Sequence, residues 1–175
     1  MSEGADRRNV VIRAADRPGD LGWVVMAHGE IYDRQFGWGA DFEALVSRIV
    51  ADYATGHSPA SEAAWVGEVD GERAGCVLLV ADDKPQVAKL RVLLVTPTAR
   101  GLGLGTRLVE ESLAFAREAG YRSVTLWTTG NLASARRIYE HFGFALTEEE
   151  PAHLFGHDLV GQTWTLGLRG GSPEG

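Results

Sequence analysis

"TPTARGLGLGTRLVEE", residues 96–111, carries glycine at 101, 103 and 105, between the apolar run "LRVLLV" (90–95) and a stretch with helical periodicity. A strand that hands over to a helix through so bare a backbone can bring main-chain N–H groups close to another molecule, because glycine has no Cβ to collide. The first N–H groups of a helix lack intrahelical partners, and the helix dipole adds positive potential there. The natural occupant of such a corner is an anion, above all a phosphate. Pro97 suits the strand exit, since it fixes φ and has no N–H to leave unsatisfied.

The spacing decides between phosphate loops. A P-loop requires G-x-x-x-x-G-K-[ST], but Gly105 is followed by Thr106 and Arg107 with no lysine. A dinucleotide fingerprint requires G-x-G-x-x-G, and the sixth position is Thr106 or Leu108 depending on the starting glycine. What stands is R-x-x-G-x-G, running from Arg100 through Gly101, Leu102, Gly103 and Leu104 to Gly105.

The rest of the chain reads as one domain over 1–169 with a short disordered tail at 170–175. Its 175 residues suffice for one compact core, and 45% hydrophobic with 23% charged residues is ordinary for a folded chain. A net charge of −7 argues against a nucleic-acid surface. The lone Cys76 sits in "GCVLLV", an apolar setting that predicts an inert thiol in a reducing compartment. No signal-peptide core and no apolar run of ~20 residues is present, which predicts a cytoplasmic protein with no membrane contact.

A first strand at 9–16 precedes two helices, the second over 40–54 with Asp41 as a possible cap. "AAWVGEVDGERAGCVLLVAD" reads as a hairpin turning at Asp70-Gly71. Then come a strand over 87–96, a helix ending at Gly120, the strand "SVTLWTT", a short helix "LASARRIYEHFG", and closing strands "FALTE" and "QTWTLGL". That order predicts an α/β sandwich around one mixed, twisted sheet.

With "LLVTPTARGLGLGTRLV" and, downstream, "ARRIYEHFGF", the sequence resembles the GNAT acetyltransferase superfamily over roughly residues 60–168. More narrowly it resembles the acetyltransferase half of bacterial proteins that fuse such a domain to a winged-helix regulator. The resemblance implies an α+β fold with a mixed central sheet of roughly six to seven strands flanked by about four helices. It implies that acetyl-CoA, the cosubstrate, lies where two parallel strands splay apart; no metal is expected, because His153, His157 and Asp158 lack ligand spacing on a defined element. Leu93, Leu94 and Val95 would then pair with the pantetheine, and Arg100, Gly101, Leu102, Gly103, Leu104, Gly105 and Thr106 would hold the pyrophosphate. A Leu94 or Val95 amide would polarise the thioester carbonyl. Tyr139 matches the tyrosine that protonates the departing thiolate. Asn131 resembles the asparagine that bonds the pantetheine arm, but it stands one residue further from the tyrosine than the family spacing, with Leu132 at the family position.

The base departs from the family pattern. Many members carry a glutamate on a splayed strand, and neither "VAKLRVLLV" nor "SVTLWTT" holds a carboxylate, with Thr129 at one common glutamate position. A water relay to Glu30, Asp33, Glu68, His28 or His157 is the substitute, with histidine suited to proton uptake near neutrality. Lys89 and Arg91 share a face of a central strand where charge is costly. Either acids from the first helices pair them, or they open onto the acceptor cleft and the acceptor carries a carboxylate beside its amine. "HGEIYDRQFGW", with Tyr32, is the candidate acceptor wall.

The expected activity is acetyl transfer to a small-molecule or peptide amine by direct attack in a ternary complex, with homodimerisation possible. A weakly catalytic CoA-binding sensor is the alternative that the absent glutamate motivates, and a nucleotide-binding protein is a weaker one.

Overall fold

A computed structural model describes residues 8–168, so the predicted tail at 170–175 lies outside the described residues. Five elements open the fold: β1 (Val10–Ala14), α1 (Asp20–Phe36), α2 (Gly39–Gly56), β2 (Ala63–Val69) and β3 (Glu72–Ala81). They are followed by β4 (Val87–Val95), a 3-10 turn at Pro97–Ala99, α3 (Leu104–Glu118), β5 (Ser123–Thr129) and α4 (Ala133–His141). A hairpin of β6 (Ala145–Leu154) and β7 (His157–Gly167) closes it. The seven strands form one mixed sheet in the order β1-β2-β3-β4-β5-β7-β6. It is the GNAT-like architecture of sheet and four α-helices that the sequence resemblance implied.

Side-chain alternation divides the sheet into two apolar faces. Val77, Leu79, Ala88 and Leu90 pack with Leu104, Leu108, Leu113 and Ala116 of α3. On the opposite face Cys76 and Leu94 meet Val24, Ala27, Ile31, Val46 and Val50 of α1 and α2. Cys76 is fully buried, and burial pushes its thiol far above the ordinary range, so it stays a thiol. Gly29 permits the close crossing of α1 over α2: a Cβ there would lie 2.5 Å from Glu43 Oε1.

Turn chemistry behaves as expected at Asp70-Gly71, where φ values of 54° and 83° make the primed turn of a two-residue hairpin. Gly120, at φ 91°, ends α3 with the Tyr121 N–H donating to Ala116 O at 3.1 Å. Two expectations need correction. Asp41 is not the α2 cap: the helix begins at Gly39 behind Trp38, and Asp41 sits inside the first turn. The closing strands are also much longer than "FALTE" and "QTWTLGL". "EEEPAHL" belongs to β6, an edge strand that tolerates Pro151 and exposes Glu148–Glu150 to solvent. Among the described residues no helix is long and apolar enough to cross a membrane.

A buried ion cluster fastens the start of α1 to the sheet. Asp20, fully buried, accepts a bidentate pair from Arg13 Nη1 and Nη2 (2.8 and 3.0 Å), a bond from Arg73 Nε (2.9 Å) and one from the Arg17 N–H (2.9 Å). Hydrogen bonds from the Arg13 guanidinium hold the Asp20 carboxyl well below the usual carboxylate range, against the opposing effect of burial. A carboxyl depressed in this way contributes stability above its unfolded value of about 4 and loses it as the pH falls towards the folded value. Removing the carboxylate leaves two arginines facing each other, at a cost of about 3–5 kcal/mol. Asp20→Asn is therefore expected to lower Tm at pH 7 and to flatten its decline below about pH 4. An unchanged acid limb in that variant, followed by thermal melts, would show that the cluster does not control it.

Candidate active site

β4 and β5 pair in parallel over three positions only, Val87↔Ser123, Ala88↔Val124 and Lys89↔Thr125. Beyond them both strands continue, β4 to Val95 and β5 to Thr129, with no further pairing between them. The divergence coincides with a register shift between β3 and β4 and with Val92 at φ 51°, a left-handed conformation that a β-branched residue rarely accepts. The shift exchanges which residues face β3. Before it, Val87 O accepts from the Asp82 N–H; after it, the Thr96 N–H donates to Ala74 O. By alternation, Leu94 turns its amide towards β3, while Leu93 and Val95 turn theirs into the gap. Leu94 borders the cleft, while its backbone serves the sheet and its side chain the α1/α2 core, so of the three residues Leu93 and Val95 are the ones that aim amides into the gap.

At the end of β4 the chain passes through the Pro97–Ala99 turn into the N-terminus of α3. Gly101 and Gly103 have φ of 87° and 74°, and a Cβ on either would meet nothing within 4 Å, so both border open space. Gly105 differs: a Cβ there would lie 2.7 Å from Ile138 Cδ1 and 3.3 Å from Val95 Cγ2. The third glycine thus serves the approach of α4 and β4 to the first turn of α3. A cleft of about 450 Å³ runs along Leu93–Val95, Arg100, the glycines and Thr106, with Asn131 and Arg137 opposite. It has no acidic lining residue, although the whole chain carries −7. Leu102 projects to solvent and does not line the cleft, so only its amide remains a candidate contact. Leu104 lines the cleft while its side chain packs in the core beneath. Arg107 and Arg136 are spent on Val10 O and Gly130 O, both at 3.2 Å.

A second cavity, of about 170 Å³, adjoins the first; Tyr32, Leu93, Leu132 and Ala135 line both. The gap between the strands lets α1 and α2 on one face and α4 on the other reach a single space. Tyr139 enters it from α4, is buried beside Phe144 and Trp164, and its hydroxyl has no hydrogen bond among the described residues. Burial raises the phenol well above its ordinary value, so it remains protonated. Tyr32, pushed up to about 12 by burial, stacks on Trp38 at 5.4 Å and on His28 at 5.7 Å. Phe42, Trp127 and Phe155 complete an aromatic wall that only the Tyr32 region of the sequence foreshadows.

His28 is the candidate base that the fold brings to this cavity. Its Nδ1 lies 2.8 Å from Val24 O, an atom that only accepts, so Nδ1 carries the proton and Nε2 is a bare acceptor. Nε2 is buried with no partner, and so is Thr129 Oγ1 on the same cavity wall. Burial lowers the imidazole to about 4 and keeps it neutral. The other carboxylate and histidine candidates lie elsewhere. Glu68 is bound to Arg13 Nε at 2.7 Å in the Asp20 cluster, because β2 turns it towards β1 and the start of α1. Glu30 is exposed on α1 beside Arg34 at 3.6 Å. Asp33 caps the Gly39 N–H, and exposed His157 reaches only Gly37 O at 3.4 Å. Lys89 and Arg91 both line the cavity, and Lys89 Nζ also meets Asp82 at 3.5 Å.

The family model for the acetyltransferase (GNAT) family matches residues 26–144. Among curated proteins the chain is 31% identical over 140 residues to the uncharacterised N-acetyltransferase C1271.07c of Schizosaccharomyces pombe, covering 80% of this chain and 85% of that one. It is 32% identical to YjgM of Escherichia coli, also an uncharacterised N-acetyltransferase, over 50% of this chain and 54% of that one, and so spans about half of that relative. Among solved structures it superposes on yncA of Salmonella typhimurium, solved with acetyl-CoA, with a TM-score of 0.70 at 20% identity, over 94% and 98% of the two chains. An N-acetyltransferase of Staphylococcus aureus Mu50 gives 0.75 at 17%, over 92% and 99%. At those identities the structural likeness establishes the fold, while the family match and the yeast relative establish kinship. The chain belongs to the GNAT family of acetyltransferases.

Proposed function

We propose that this acyltransferase moves the acetyl group of acetyl-CoA to a primary amine by direct attack within a ternary complex. The observation that carries the reading is the meeting of two features at one cleft: unpaired amides along β4 beside β5, and the free first turn of α3. In this reading the N–H groups from Leu102 to Thr106 hold the pyrophosphate, with Arg100 and Arg137 adding charge. The amides of Leu93 and Val95 bind the pantetheine as an added strand, and one of them steadies the oxyanion that forms at the thioester carbon. Asn131 borders the arm's path. Tyr139, held protonated, gives its proton to the leaving sulfur.

Deprotonation follows from the cavity's electrostatics. No carboxylate lines the second cavity, and Lys89 and Arg91 disfavour a further positive charge there. The acceptor therefore enters as the neutral amine, and His28 Nε2 accepts one of its N–H groups, which orients the lone pair. With a pKa near 4 the imidazole is a weak base, so its part is orientation; the proton that the attacking nitrogen sheds as the amide forms returns to the Tyr139 phenolate left when the sulfur is protonated, and the protons balance.

Three outcomes test these roles. Gly103→Ala places a Cβ on a left-handed residue at a strain of about 1–2 kcal/mol. It should lower Tm by a few degrees and raise the acetyl-CoA Kd about tenfold or more by calorimetry. An unchanged Kd would remove the glycine loop from the binding site. Tyr139→Phe should cut thiol release about 100-fold without altering the acetyl-CoA Kd; wild-type turnover in that variant would remove the general acid. His28→Phe should lower kcat/KM for the amine about tenfold or more. In the wild type, the acid limb of kcat/KM should follow the acceptor's own amine pKa. A limb fixed near 6.5 for every acceptor would instead assign proton uptake to an ordinary histidine.

A further inference from the structure

The second cavity holds a charge arrangement that acetyl transfer alone does not require. Two cations, Lys89 and Arg91, line it with no carboxylate in the lining, in a wall otherwise built of aromatic, aliphatic and threonine side chains and His28. Lys89 has a counter-charge outside the wall, Asp82 at 3.5 Å. Arg91 has no direct contact of this kind: among the described residues it takes part in no ion pair within 4.0 Å and no side-chain hydrogen bond. Asp52 and Glu62 line a neighbouring cavity that Arg91 also borders, beyond ion-pair reach, and Asp52 favours the charged guanidinium from there. Partial burial lowers the guanidinium's pKa, yet an arginine remains charged at any working pH.

A partly desolvated cation without a hydrogen-bonded counter-ion is costly, and a planar guanidinium is the side chain best matched to a carboxylate. Around it the wall is apolar, with Phe42, Leu45, Ile49 and Leu126 among its members, and its volume of about 170 Å³ falls below the roughly 300–1,000 Å³ of drug-sized sites. From this arrangement we infer that the acceptor is a small apolar amine carrying a free carboxylate, and that Arg91 holds that carboxylate while Lys89 supports it. The inference rests on the acetyltransferase reading above. It separates a free amino-acid-like acceptor from the N-terminus of a protein, whose first carboxyl group is tied up as an amide.

The test compares matched acceptors by thiol release at saturating acetyl-CoA. L-phenylalanine and L-leucine are set against their amides, against phenethylamine and isopentylamine, and against a tripeptide beginning with phenylalanine. At least one free amino acid should exceed its amide, amine and peptide counterparts about tenfold or more in kcat/KM, a difference of about 1.4 kcal/mol. Arg91→Gln should abolish that preference by raising KM for the carboxylate acceptors far more than for the amides and amines, and Arg91→Lys should keep part of it. Melting curves report whether the variants fold, and the wild-type comparison stands without them. Equal or better turnover of the amides, an equal effect of Arg91→Gln on both kinds of acceptor, or no acetylation of any member while acetyl-CoA binds would each overturn the inference. Failure of wild-type protein to bind acetyl-CoA by calorimetry would bring down the acetyltransferase reading itself, and this inference with it.

Discussion

Three residue pairs join β4 to β5, and the geometry of both cavities depends on where that pairing stops. Had it continued, the amides of Leu93 and Val95 would be spent inside the sheet and the two helical layers would be sealed from each other. Because it stops at Lys89, the sheet contains a slot with unsatisfied main-chain groups on one wall, which is unfavourable unless something extended fills it. Val92 in its left-handed conformation sits at that point. Its strain belongs with the register shift that re-aims the following residues.

The slot also explains how side chains from opposite faces of the sheet come to share one cavity. Tyr139 on α4 and His28 on α1 belong to different apolar layers, yet both reach the space beyond the strand ends. Their environments push them apart chemically: burial makes the phenol a persistent donor and the imidazole a persistent acceptor. Around them the potential is set by cations, Arg100 and Arg137 along the larger cleft and Lys89 and Arg91 in the smaller cavity. A chain with an acidic total thus keeps an anion-complementary interior path, while much of its acidity lies outward, as on Glu148–Glu150 of the edge strand.

How much of this was legible in the sequence depends on whether the signal is local. Gly101 and Gly103 announce their conformation because only glycine accepts it cheaply, and Tyr139 is marked by its own surrounding motif. The Asp70-Gly71 turn and the Gly120 helix stop are local in the same way. Val92 is the counterexample: a valine in a left-handed conformation is imposed by tertiary packing, and nothing near it in sequence signals the bulge. Glu68 looked available as a base because its partners Arg13 and Arg17 come from a strand and a turn more than fifty positions away. The long β6–β7 hairpin was hidden by Glu149, Glu150 and Pro151, which follow "FALTE" and break the strand pattern until their place at the edge of the sheet is known. His28 gave a residue type and no more; its tautomer and its bare Nε2 exist only through the Val24 carbonyl and the packing of Tyr32.

The central claim is that main-chain groups, on two particular segments, grip the cofactor. Amide resonances assigned by NMR and followed during titration with CoA report it directly. The account predicts large, saturable shifts and slowed exchange at Leu93, Val95 and the 102–106 segment, with the β1–β2 amides unmoved. Saturable binding that leaves those amides unperturbed and shifts another region would contradict it.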